Sequence, residues 1–98
     1  MFVRIVKMSF DETKIEYFLN NFNQNKKMIR NFEGCSFLEL YRDKKKENVF
    51  FSYSYWNTEE DLNNYRNSEF FKSVWSKTKV LFNEKPQAWS VDKIVSLK

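Results

Sequence analysis

The sequence predicts an α+β fold of order β-α-β-β-α-β: a four-stranded antiparallel sheet with its helices on one face, the ferredoxin-like arrangement. Three observations predict it. Short runs rich in aromatic and β-branched residues alternate with segments whose apolar residues recur at helical spacing. The 98 residues hold only 1 Gly and 1 Pro, so residues 1–98 read as one domain around one core, with no flexible linker. Rings are abundant, with 11 Phe, 5 Tyr and 3 Trp, and they fall on both sides of the expected strands.

Residues 2–9 form the first strand, with Phe2, Val6 and Met8 on one side and Val3 and Ile5 on the other. Asp11 offers an N-cap and Phe10 a hydrophobic staple onto Ile15. Ile15, Phe18, Leu19, Phe22 and Ile29 then make one helical stripe running to about Asn31. Gly34 falls where the turn out of that helix needs positive φ. Cys35 to Arg42 and Val49 to Trp56 are the next two strands, and the polar stretch Asp43 to Asn48 joins them as a hairpin. Thr58 with Asp61 three positions later starts a short helix carrying Leu62 and Tyr65. Ser68 caps another carrying Phe71, Val74, Trp75 and Thr78, so the second helix breaks near Asn67. Pro86 closes the connection, and Ala88 to Leu97 supplies the last strand, with Trp89, Val91 and Val95 on one face.

Helices on one side leave the other side of the sheet bare. In the hairpin, Phe51, Tyr53 and Tyr55 lie opposite Phe50 and Trp56, and Phe37 and Tyr41 lie opposite Leu38 and Leu40, so neither face is polar. An apolar sheet face of that size calls for a partner, and two copies packed face to face form a two-fold homodimer.

Composition removes several classes of chemistry. There is no His, so no imidazole serves as metal ligand, haem ligand or general base. The lone cysteine, Cys35, cannot close an internal disulfide, and in a strand it reads as a small buried apolar group. The balance of 17 Lys+Arg against 13 Asp+Glu gives +4, but the bases are dispersed, and Lys44, Lys45 and Lys46 sit in a turn. The opening M-F-V-R-I-V-K-M-S-F carries Arg4 and Lys7 within its apolar run and no cleavage site. No stretch is long enough to span a bilayer, so a cytoplasmic protein without a membrane partner is expected.

The run S-Y-W-N-T-E-E-D-L-N-N-Y-R-N-S-E-F-F-K-S-V-W, Ser54 to Trp75, resembles the antibiotic biosynthesis monooxygenase family of the dimeric α+β barrel superfamily. Trp56 closes the third strand, Leu62 and Tyr65 lie in the first half-helix, Ser68 marks the break, and Phe71 and Trp75 follow it. The resemblance implies a pocket in each protomer between sheet and helices, rimmed by the broken helix and binding a small aromatic, phenol- or quinone-like substrate. Its expected lining is Trp56, Tyr65, Phe71 and Trp75, with Phe22 and Tyr53. Members similar to this chain oxidise phenols without flavin or metal, the substrate anion reacting with oxygen itself, so the resemblance implies a monooxygenase with no cofactor and no metal. Tyr65, Trp75, Arg4 and Tyr53 are the candidate hydrogen-bond donors. With no His, the base falls to a carboxylate such as Glu39, a tyrosinate or water. The haem-degrading relatives carry their axial His where this chain has Trp75, a haem-contacting Trp where it has Tyr65, and an Asn at or beside Val6, so haem chemistry is not expected.

Two other readings compete. RNA-recognition modules share the element order and carry K/R-G-F/Y-G/A-F-V-x-F/Y on their third strand. Lys46 to Tyr53, K-E-N-V-F-F-S-Y, matches at Lys46, Phe50 and Tyr53 but lacks both glycine-type positions and the first aromatic, so no nucleic-acid partner is expected. A non-catalytic or regulatory dimer is the third reading. Its discriminator is space beside Tyr65 and Trp75.

Overall fold

A computed structural model describes all residues, Met1–Lys98. Strand β1 (Phe2–Ser9) is followed by helix α1 (Ile15–Arg30), strands β2 (Cys35–Arg42) and β3 (Val49–Trp56), helices α2 (Glu59–Arg66) and α3 (Glu69–Lys79), and strand β4 (Gln87–Val91). The four strands form one antiparallel sheet in the order β2-β3-β1-β4. This is the βαββαβ fold expected.

Local chemistry sets the joints. Asp11 Oδ1 accepts from Thr13 N at 2.9 Å, but the turn it caps is a 3-10 turn, Glu12–Lys14, and α1 proper begins at Ile15. Phe10 and Ile15 pack in one cluster, as a staple requires. Gly34 has φ +90°, and a Cβ there would sit 2.4 Å from the Asp61 side chain, so both conformation and space demand glycine. Thr58 Oγ1 accepts from Asp61 N at 3.1 Å, and Ser68 Oγ accepts from Phe71 N at 3.0 Å. Each half-helix thus has its own N-cap, and the break falls at Asn67 and Ser68.

The last strand is shorter than expected. It ends at Val91, where an extension to Leu97 was anticipated. Val91 pairs with Val3, the second residue of β1, and the ladder between the two strands stops there. Residues 92–98 are exposed, and Lys93 Nζ lies 4.5 Å from the centroid of the Tyr55 ring.

Strand pairing fixes what each face carries. On the helix side, Phe50, Ser52, Ser54 and Trp56 of β3 stand opposite Met8, Val6, Arg4 and Phe2 of β1. Two packed clusters occupy the ends of that face. One joins Ile29, Cys35, Trp56, Leu62 and Tyr65, the other Met8, Phe10, Phe18 and Phe50, and Phe22 packs against both. Between them the sheet carries small side chains: Ser52 beside Val6 and Ala88, Ser54 beside Arg4 and Ser90. On the opposite face Phe37 stacks on Tyr55 at 4.2 Å and Tyr41 meets Tyr53 edge-on at 4.9 Å, with no helix over them.

Candidate functional site

The serines hollow the middle of the sheet's inner face. A side chain that stops at Oγ leaves volume that the rings at Phe50 and Trp56 fill two residues away on either side. The helices bridge this hollow, and a cavity of about 280 Å³ remains beneath them. Its floor is Arg4, Val6, Ser52, Ser54 and Ala88; its walls include Phe22, Trp56, Tyr65, Phe71 and Trp75. The helix break bends the wall: Tyr65 and Phe71 meet edge-on at 5.0 Å across it, and Phe71 stacks on Trp75 at 5.8 Å.

The structure therefore brings Phe22, Trp56, Tyr65, Phe71 and Trp75 around one space. Tyr53 is not among them. It alternates with Ser52 and Ser54, faces away from the helices and packs against Tyr41, which corrects its placement as a pocket residue and as a donor there. Trp56 is 1% exposed and donates its indole N–H to Ser54 Oγ at 2.9 Å, while its ring stacks on Tyr65 at 5.0 Å. That bond holds the indole flat against the cavity's end and occupies one of the serines of its floor.

Neither the Tyr65 hydroxyl nor the Trp75 indole N–H hydrogen-bonds within the protein, and no buried polar side-chain atom is orphaned, so both donors have access to open space. Burial, reinforced by nearby Cys35, pushes the Tyr65 phenol well above its ordinary value. Tyr65 is thus a neutral donor across the physiological range and no tyrosinate base. Burial likewise raises the Cys35 thiol, which keeps it protonated and unreactive. Glu39, the carboxylate considered as a base, is exposed on the opposite face, where it accepts a hydrogen bond from Tyr41. No Asp or Glu lines the cavity.

Two arginines line the cavity, the half-buried Arg4 and the exposed Arg66, and sequence reasoning weighed them unequally. Arg4 lies on its floor and was a candidate donor; Arg66, from the last turn of α2, was missed. The guanidinium of Arg4 is half-buried and donates to Ser90 Oγ at 3.0 Å. Burial lowers its pKa, and Arg66 adds like-charge repulsion. The signal for Arg4 was available, since it shares the phase of Phe2, Val6 and Met8 on the strand. That for Arg66 was not, because only the tertiary fold brings the end of α2 over β1.

A family model for antibiotic biosynthesis monooxygenases matches residues 1–75. The chain belongs to that family. The match takes in β1 through the Trp75 turn of α3, the segments that supply nearly all of the cavity. No curated protein sequence matches the chain. Among solved structures it is similar to an antibiotic biosynthesis monooxygenase (TM-score 0.90, 16% identity, 97% of this chain and 100% of that one). It is also similar to a conserved protein from Methanosarcina mazei Go1 (0.87, 18%, 95% and 93%) and to Rv0793 from Mycobacterium tuberculosis (0.88, 10%, 99% and 98%). At these identities the likeness establishes the fold. No helix is long and apolar enough to cross a membrane, and no cluster of three or more His, Cys, Asp or Glu side chains is arranged to hold a metal ion.

Proposed function

We propose that this family member binds a compact, flat aromatic molecule of the phenol or quinone class in the cavity between sheet and helices and oxidises it as a cofactor-independent monooxygenase. The observation that carries the reading is the cavity itself: open space under Tyr65 and Trp75, floored by serines and walled by rings. Its volume of about 280 Å³ is just below the usual range for ligand pockets, which suits a compact guest. A ring CH beside a phenol reacts with O2 to give a quinone carbonyl and one water; the substrate supplies all four electrons, so no external reductant enters. The chain's part is to exclude water, to align the ring and to donate hydrogen bonds from Tyr65 and Trp75 to oxygen as it gains charge. No base lines the cavity, so the phenol must be acidic enough to ionise without one.

The partner in this reading is a second copy of the chain, packed through the bare sheet face. Phe51, Tyr53 and Tyr55 are only half-buried in one protomer, and Tyr41 and Trp89 are 44% and 43% exposed. The RNA reading loses support from the same strand, because Phe50, the aromatic it requires for base stacking, is 2% exposed beneath the helices. The lack of a base favours one rival, a dimer that binds the aromatic without turnover.

A thermal-shift screen of phenols and quinones, followed by an oxygen electrode on the binders, tests the proposal. The expected result is one O2 consumed per quinone formed, above the rate in buffer. Binding without oxygen uptake selects the rival, and no binding by any member of the panel removes both.

A further inference from the structure

Arg4 stands on the inner face of a central strand, where a charge costs solvation unless it is answered. Its guanidinium is half-buried, and no carboxylate of the protein pairs with it. Its cross-strand neighbours are Ser54 and Ser90, its one hydrogen bond goes to the neutral Ser90 hydroxyl, and the charge that perturbs it is a second cation, Arg66. Arg66 has a reason of its own to lie where it does, since a cation in the last turn of α2 meets the helix's negative end. That explains its position on the helix, though not its convergence with Arg4 on a cavity without a carboxylate.

We infer that Arg4 and Arg66 form an anion-recognition pair, and that the aromatic guest carries a carboxylate which they bind while its rings lie among Phe22, Phe71 and Trp75. The inference rests on the cavity being the ligand site. A guanidinium cannot shed its charge, and its planar fork matches a carboxylate with two parallel hydrogen bonds. A carboxylate is preferred to a phenolate as the recognised charge because its two oxygens match the guanidinium fork, which a single phenolate oxygen does not, and because it is ionised throughout the neutral range. The phenol that reacts then lies at the other end of the guest. Once bound, the carboxylate cancels the repulsion between the two arginines. It also leaves Tyr65 and Trp75 to address the other end of the molecule, so the pair orients the guest as well as selecting for it.

The test is a tryptophan-fluorescence titration at pH 7 with three probes of nearly equal shape: 2-naphthoate, its neutral amide 2-naphthamide, and 2-naphthol. The expected result is that the carboxylate binds at least tenfold more tightly than either neutral probe. Arg4→Gln and Arg66→Gln should each reduce that preference, lowering carboxylate affinity more than amide affinity. Equal affinity of acid and amide overturns the inference and leaves the aromatic pocket standing. A preference that survives both substitutions also overturns it, since the charge is then recognised elsewhere. Binding by none of the three overturns the pocket and the inference together. Equal affinity of acid and amide on the unaltered protein overturns the inference even if a variant fails to fold.

Discussion

The two faces of strand β3 are built from adjacent residues and come out differently. Toward the helices it presents Phe50, Ser52, Ser54 and Trp56, rings at the ends and hydroxyls between; away from them it presents Phe51, Tyr53 and Tyr55, rings throughout. The inner face is covered by helices yet hollow at its centre, and the outer face is rich in rings with no helix over them. The difference teaches that this chain spends its rings in two ways. Those inside pack a core around a space, and those outside await another surface. Hydrophobic content alone does not distinguish the two uses. The alternation of β3 does.

Phe50→Ala against Phe51→Ala is the sharpest way to break the comparison. Phe50 touches Phe10 and Phe18 in a full cluster, so its loss should cost about 3–5 kcal/mol in urea unfolding at any protein concentration. Phe51→Ala should cost about 1–2 kcal/mol in dilute protein, with a cost that grows with concentration if the outer face is paired. Equal costs that ignore concentration would erase the distinction between the faces.

Tyr53→Glu puts a charge into the outer face. In a dimer closed through that face it should cost about 3 kcal/mol of association, roughly a hundredfold in the dissociation constant by sedimentation. The variant's monomer fold should be intact by circular dichroism.

On the inner face, Ser54→Ala leaves the Trp56 indole N–H without its acceptor and should cost about 1–3 kcal/mol in unfolding free energy. Ser52→Leu should fill the hollow and weaken binding of an aromatic guest by about tenfold or more, read by fluorescence titration, with a smaller effect on stability.

The smallest effect concerns pH. Because the Tyr65 phenol is raised in the folded state, the fold holds its proton more tightly than the unfolded chain does. Its contribution to stability is complete below the unfolded value of 10.0 and is lost as pH rises beyond it. Tyr65→Phe should therefore soften the fall in melting temperature above pH 10 and leave neutral-pH stability little changed.

Much of this was readable before the fold was known. Element order followed from periodicity, and the broken second helix from two caps, Thr58 and Ser68, whose hydroxyls bond as that role demands. The aromatic wall was readable because Tyr65, Phe71 and Trp75 straddle that break. Tyr53 was misplaced by giving weight to its hydroxyl over its phase, although it shares neither parity nor face with Trp56. The length of β4 was not legible in residues 88–97, because it depends on how far the ladder with β1 extends. The volume of the cavity, too, depends on which small residues flank β1: the register sets Ser52 of β3 and Ala88 of β4 on either side of Val6, and Ser54 and Ser90 on either side of Arg4.

Guests should enter the hollow inner face and leave the ringed outer face alone. The three tryptophans divide suitably, Trp56 and Trp75 at the cavity and Trp89 on the other side of the sheet. Indole N–H resonances followed by NMR during titration with 2-naphthoate test this directly. Trp75 and Trp56 should shift to saturation while Trp89 stays in place; a shift confined to Trp89, or none at saturating ligand, would show that guests bind elsewhere or not at all.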